Sequence, residues 1–215
     1  VMVGHKFGGL AIVTVVVSCF FAAISGSGPA TVAALGPILF PAMVEAGYRR
    51  DWSAALIANG GNVGIIIPPS GVVVIYAVIA EVSIGELFMA GIIPGILFGI
   101  FLAAAALISL NRQEIRGEAV GRLPKASRAE RLKAFKDAIW GLLTPVIILG
   151  GIYSGIFTAT ESAGIAAVYG LIVGLFVYRN IKLKDLWRIF SDAAVSTAVV
   201  MFIIANASVF AYVLT

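Results

Sequence analysis

Ser25-Gly26-Ser27-Gly28-Pro29 and, further on, Asn59-Gly60-Gly61-Asn62-Val63-Gly64 followed by Pro68-Pro69-Ser70 put helix-breaking and polar residues inside strongly apolar sequence. Glycine relaxes the backbone, and proline removes a donor and disfavours helix in the residue before it. In lipid an unwound backbone leaves N–H and C=O groups with no water to satisfy them. Such breaks persist only where they are buried in protein or line a polar cavity, and in transporters that cavity commonly holds substrate and coupling ion. These two stretches decide the fold and mark where function is to be sought.

Working outward, apolar arms at residues 7–25 and 30–45 flank the first break, and both outer ends are basic, at His5-Lys6 and Arg49-Arg50. Residues 4–47 therefore read as a hairpin, either two full spans or a re-entrant loop. The tip lacks the charges and aromatic anchors of a loop at headgroup level, which favours the re-entrant form. Residues 52–80 cross once as a broken helix of two halves, from Arg50-Asp51 to acidic Glu81. Residues 86–110 return, with a kink expected at Pro94-Gly95. The stretch 111–138 is polar and basic. Within it Leu132, Phe135 and Ile139 recur at helical spacing beside Arg131, Lys133 and Lys136, which predicts an amphipathic helix on the membrane surface. Leu183, Leu186, Trp187 and Phe190 repeat the pattern after Arg179. Further spans are expected at 139–157, 162–178 and 193–215.

The composition agrees: 60% of residues are hydrophobic and 12% charged, against about one quarter charged in soluble domains. Several apolar runs approach the roughly 20 residues a spanning helix needs. The fold class is an all-α integral membrane protein with many spans. The net charge of +4 gathers at Lys6, Arg49-Arg50, residues 112–136 and residues 179–188. The positive-inside rule sends these loops to the cytoplasm and the acidic joints at Glu81, Glu86 and Glu161 outward. Topology thus accounts for the basic balance, and nucleic-acid binding is not needed to explain it. The single cysteine, Cys19, reads as a small buried hydrophobe. The chain starts at Val1 without a cleavable signal pattern and stops inside an apolar run. It reads as a piece of a longer protein, with further spans beyond one or both ends.

Neither break contains Asp, Glu, Lys, Arg or His. No metal-ligand cluster, paired nucleophile and base, or phosphate loop is visible, so an enzyme or a cofactor protein is not expected. His5, beside Lys6 at the chain end, reads as interfacial. What the breaks do offer is hydroxyls (Ser25, Ser27, Thr31, Ser70), amides (Asn59, Asn62) and the carbonyls around Gly26, Gly28, Gly60 and Gly61. Neutral oxygens suit a hard cation. Unwound carbonyls and helix C-termini favour Na⁺, and free helix N-termini favour an anionic group. Pro29 falls in a first helical turn, where proline is tolerated. A proton-coupled carrier would more often hold a titratable residue at mid-depth, so sodium is the expected ion. The competing explanation is close helix packing, for which small residues are also used; two successive breaks that join glycine to polar residues favour a binding site. Thr158 and Glu161 have capping-box spacing, and an outward-facing helix start explains them.

Residues 25–36 with Pro41-Ala42-Met43-Val44-Glu45-Ala46-Gly47-Tyr48, together with Gly64-Ile65-Ile66-Ile67-Pro68-Pro69-Ser70, residues 84–95 and residues 150–163, resemble the large membrane subunit of TRAP (tripartite ATP-independent periplasmic) transporters. The likeness runs in order over nearly the whole chain. It implies an inverted-repeat, ion-transporter-superfamily-like architecture of elevator type, each repeat holding a re-entrant hairpin and a broken helix. Residues 1–110 would be the first-repeat transport region, 111–138 a cytoplasmic connector, and 139–215 the start of the second repeat. It further implies Na⁺ coupling, a small transmembrane (Q-type) subunit, and a periplasmic substrate-binding protein (P-type). That protein would deliver a small organic anion, such as a C4-dicarboxylate, sialic acid or another carboxylate. By this likeness Ser25, Ser27, Gly28, Gly61 and Asn62 are candidate sodium ligands. Gly26, Asn59, Gly60, Gly64 and Ser70 join them in a sodium and substrate site, with Pro29, Pro68 and Pro69 breaking the helices. The family often has Ser-Gly-Ser-Ser at the tip; here Gly28 offers only its backbone. The alternatives are a stand-alone sodium-coupled carboxylate carrier, or a membrane scaffold or channel-like protein without coupled transport.

Overall fold

The computed structural model describes residues 7–115 and 127–214, and the regular elements among them are all helical. In order they are α1 (Gly9–Ser25), α2 (Gly28–Glu45), α3 (Arg50–Ile66), α4 (Gly71–Ile79), α5 (Ile84–Ile115), α6 (Arg128–Tyr153), α7 (Ala159–Ile172), a π-helical turn (Val173–Val177) and α8 (Leu183–Leu214). By length and composition six candidate spans are present among the described residues, α3 and α4 together forming one of them. At 17 residues α1 is shorter. The first residues of the hairpin with His5, and residues 116–126 of the basic connector, lie outside the described residues.

Two compact units are formed, Val1–Ala166 and Ala167–Thr215. The first holds α1 to α6 and the opening turns of α7. Its core joins Leu10, Ala11 and Val15 of α1 to Leu35, Leu39 and Met43 of α2, Leu56 and Ile57 of α3, and Ala106 and Leu110 of α5. Thr14 is buried in this apolar core because its hydroxyl donates to the Leu10 carbonyl 3.0 Å away, the usual internal partner for a helical threonine in an apolar setting. Trp52 Nε1 donates to Ser109 Oγ at 3.0 Å, and the Tyr48 ring stacks on Trp52 with centroids 5.7 Å apart. These contacts fasten the outer end of the hairpin and the start of α3 to the end of α5. The second unit holds the rest of α7, the π-helical turn and α8.

The hairpin is as the first break requires. Gly26 ends α1 in the left-handed region at φ 59°, where glycine is at ease, and its N–H bonds the Ala22 carbonyl. Ser27 is the N-cap of α2, with Pro29 in the first turn. Pro37 and Pro41 lie inside α2 without ending it.

The second break is not where the glycines suggest. α3 runs without interruption through Asn59, Gly60, Gly61, Asn62 and Gly64 to Ile66. The chain unwinds only at residues 67–70, around Pro68 and Pro69, before α4 starts at Gly71. The expectation that residues 59–64 form the unwound part is therefore corrected. A helix keeps its own hydrogen bonds in lipid, and glycine merely permits unwinding, whereas the prolines remove the donors that would carry the helix on. Other boundaries change as well. α6 joins the amphipathic stretch after Arg128 to the span expected from residue 139. α8 likewise joins Leu183, Trp187 and Phe190 to the span expected from residue 193. α5 passes Pro94 unbroken, and the joint with Thr158 starts α7 through the expected capping box. There Glu161 accepts the Thr158 N–H at 2.8 Å, and Thr158 Oγ1 accepts the Glu161 N–H at 3.2 Å.

Candidate functional site

The glycines of α3 are the floor on which the hairpin tip rests. A Cβ on Gly61 would come within 3.0 Å of the Gly28 carbonyl oxygen and 2.5 Å of a Val32 methyl. One on Gly64 would meet Thr31 Oγ1 at 3.1 Å and the Ser27 carbonyl at 3.2 Å, and one on Gly60 would strike Ser18 Oγ at 2.6 Å. Gly61 and Gly64 therefore let α3 lie backbone to backbone against the start of α2, and Gly60 beside them admits the Ser18 side chain of α1, as small residues do between membrane helices.

Hydroxyls tie the tip together. Ser25 Oγ and Thr31 Oγ1 are 2.9 Å apart, and Thr31 Oγ1 and Ser25 Oγ both bond the Ser27 carbonyl, at 2.8 and 3.2 Å. Ser27 Oγ accepts the Ala30 N–H at 3.5 Å. Across the gap, the Gly71 N–H donates to the Gly26 carbonyl at 3.2 Å. Ser70, only 1% exposed, donates to the Ile65 carbonyl at 2.7 Å, closing one of the groups the unwinding frees.

Four helix ends meet here as a result. α1 and α3 arrive with their C-termini, and α2 and α4 leave with their N-termini. Beside them lies a cavity of about 280 Å³ lined by Ser25, Gly26, Pro69, Ser70 and Gly71, with Phe88 of α5 and Ile148 and Ile152 of α6 opposite. Free carbonyls at the C-termini carry partial negative charge and free N–H groups at the N-termini partial positive charge. The setting therefore offers a small cation oxygens and an anion amide hydrogens, without any ionised side chain.

Of the residues singled out from sequence, Ser25, Gly26, Ser27, Gly28 and Pro29 are brought together with Gly61, Gly64, Pro68, Pro69 and Ser70. Gly60 sits one turn further from the tip, against α1. Asn59 and Asn62 do not join this group. Both are exposed, away from the buried glycine face, and Asn59 Nδ2 donates to the Ala55 carbonyl of its own helix at 2.8 Å. Two contributors were not foreseen, Gly91 and Gly95 of α5. A Cβ on Gly91 would come within 3.0 Å of the Ile66 carbonyl, and one on Gly95 within 2.6 Å of an Ile67 side-chain carbon. Their four-residue spacing, the small-xxx-small pattern of membrane helix contacts, was the available signal.

Residues 1–215 match the family described as "Tripartite ATP-independent periplasmic transporter, DctM component". The chain belongs to this family. Among its relatives in the DctM family is the C4-dicarboxylate TRAP transporter large permease protein DctM of Pseudomonas aeruginosa, 48% identical over 99% of this chain and 49% of its own length. The isethionate TRAP transporter permease protein DctMQ of Oleidesulfovibrio alaskensis is 44% identical over 100% of this chain and 33% of its own. The ectoine/5-hydroxyectoine TRAP transporter large permease protein UehC of Ruegeria pomeroyi is 39% identical over 99% and 49%. The chain thus spans about half the length of the DctM proteins it matches, or a third of the DctMQ one. The match and the candidate spans make it a multi-pass protein of the inner membrane.

Proposed function

We propose that the chain forms part of the large permease subunit of a sodium-coupled importer of small organic anions. It would work with a small membrane subunit and a periplasmic binding protein. The observation that carries this reading is the meeting of four helix ends around Ser25, Ser27 and Ser70 beside a cavity. Carbonyls and hydroxyls there suit Na⁺, and the N-termini of α2 and α4 suit a carboxylate or similar group. Gly28 and Gly61 lie inside α2 and α3, whose interior carbonyls are bonded within the helix, so they serve the close packing, and the free carbonyls are those of the last turns of α1 and α3. Asn62, exposed on another face of α3, is better placed to meet the part of the full-length protein outside this chain. The relatives' names point to different cargoes (C4-dicarboxylates, isethionate, ectoine), so the proposal stays at the level of the small organic anion.

A re-entrant hairpin is supported by where the tip lands. Gly64, against Ser27 and Thr31, is close to the midpoint of the Arg50–Ile79 crossing, about 21 Å from its start at 1.5 Å per residue. The interlocked glycine face supports hairpin and α3 travelling as one body in an elevator-type motion.

The test is uptake of labelled organic acids by the full-length permease in proteoliposomes, with and without an inward sodium gradient and the cognate binding protein. Uptake that needs both supports the proposal. Uptake that needs sodium alone favours a stand-alone carrier, and no uptake across a broad acid panel removes the transport reading.

A further inference from the structure

The second unit carries a basic and aromatic elbow that the site above does not use. α7 ends in the π-helical turn Val173–Val177, and the chain reverses through Arg179, at φ 52°, and Asn180. The N–H groups of Asn180 and Ile181 both bond the Gly174 carbonyl, at 3.1 and 3.3 Å. Asp185 accepts the Lys182 N–H at 3.0 Å and starts α8. The elbow is therefore a fixed turn that holds Arg179, Lys182, Lys184 and Arg188 within ten residues.

Two observations say what faces it. The first is length. The 32 residues of α8 extend about 48 Å at 1.5 Å per residue, against a hydrocarbon core of about 30 Å. The charged residues of α8, Lys184, Asp185, Arg188 and Asp192, all precede residue 193, so the apolar core begins after them and the first turns of α8 stand at headgroup level. The second is amphipathicity. Leu183, Trp187 and Phe190 lie along one exposed stripe, Trp187 at 85%, while Lys184 and Arg188 flank it one step around the helix. Arg188 has only a long 3.7 Å approach to Asp192, and no carboxylate among the described residues pairs with Arg179, Lys182 or Lys184. Apolar rings at the acyl boundary with cations beside them, Arg188 held only loosely by Asp192, match a lipid whose headgroup is negative.

We propose that the elbow of Arg179, Lys182, Lys184, Arg188 and Trp187 is a binding site for the phosphate headgroup of an anionic phospholipid of the cytoplasmic leaflet. The cations engage the headgroup, and Trp187 and Phe190 lie along its acyl chains.

The full-length permease, carrying Trp52→Phe and Trp140→Phe so that Trp187 is the only tryptophan of this segment, would be placed in phosphatidylcholine nanodiscs. Energy transfer would then be measured from Trp187 to a trace of dansyl-labelled phosphatidylglycerol or dansyl-labelled phosphatidylcholine; any tryptophan outside this segment contributes equally to both variants compared. The expected result is at least about a fivefold preference for phosphatidylglycerol, the effect of one fully engaged basic side chain. The preference should fall to near one when Arg179, Lys182, Lys184 and Arg188 are all changed to Gln. It should survive Lys133→Gln with Lys136→Gln. Inorganic phosphate should not compete it away, and competition by it would mean a free-anion site instead. Equal transfer to the two lipids, or a preference unmoved by the four substitutions, overturns the proposal. Native mass spectrometry of the unsubstituted permease provides a second reading, free of the tryptophan changes: phosphatidylglycerol should be retained over phosphatidylcholine, and equal retention again overturns it.

Discussion

The backbone N–H of Gly71 donates to the carbonyl of Gly26 across 3.2 Å. This one bond joins the turn between α1 and α2 to the first residue of α4, and so links the two interruptions that were separate in sequence. The hairpin tip and the unwound segment are one structure, and substitutions in either should be felt by both.

Gly61→Val is expected to abolish transport and to lower stability by about 1–3 kcal/mol, the usual cost of overpacking. The reason is steric, since the new side chain has no room beside Gly28 and Val32. Uptake assays and thermal unfolding in detergent read the two effects. Full activity at unchanged stability would sink the interlock between α3 and the hairpin.

Ser70→Ala leaves the Ile65 carbonyl without its 2.7 Å partner. A buried acceptor so orphaned costs about 1–3 kcal/mol. The melting midpoint should fall visibly; an unchanged midpoint would mean that another donor takes over the carbonyl.

Ser27→Ala removes an N-cap hydroxyl whose 3.5 Å contact with Ala30 is long. The stability loss should lie at the low end of the cap range, about 0.5 kcal/mol. Sodium dependence should weaken by much more, seen as a several-fold rise in the sodium concentration for half-maximal uptake. An unmoved sodium curve would remove Ser27 from the ion site.

Glu161→Gln should be mild, because glutamine also serves in a capping box and the carboxylate's partners are the Thr158 N–H and hydroxyl. Transport within about twofold of the parent is expected. A complete loss would assign Glu161 a functional role in place of the capping one.

Much of this was legible in the chain. The tip could be read because Gly26, Ser27 and Pro29 each do locally what their type does best: left-handed turn, N-cap, first-turn proline. The capping box at Thr158 was legible for the same reason. The break in the crossing of residues 52–80 was foreseen, but its place was spread over residues 59–70. Glycine serves both unwinding and close approach, and which use applies at Gly61 and Gly64 depends on Gly28, Thr31 and Val32, far back in the chain. Asn59 and Asn62 were grouped with the site for their polarity; their helical register turns them elsewhere. The surface helices expected before residues 139 and 193 merged with the spans that follow. In α8 no glycine or proline intervenes anywhere, and in α6 none precedes Gly141, so nothing stops either helix from continuing.

The four converging helix ends have an electrical consequence. Two C-termini at about −0.5 and two N-termini at about +0.5 elementary charge nearly cancel, and residues 24–31 and 59–71 include no titrating side chain. This part of the chain therefore holds almost no net fixed charge of its own. On the proposed reading, the current of a transport cycle would be that of the cargo alone, sodium minus anion, and the membrane voltage would act on the loaded passage in proportion to the excess of sodium charge while leaving the return of this region almost untouched.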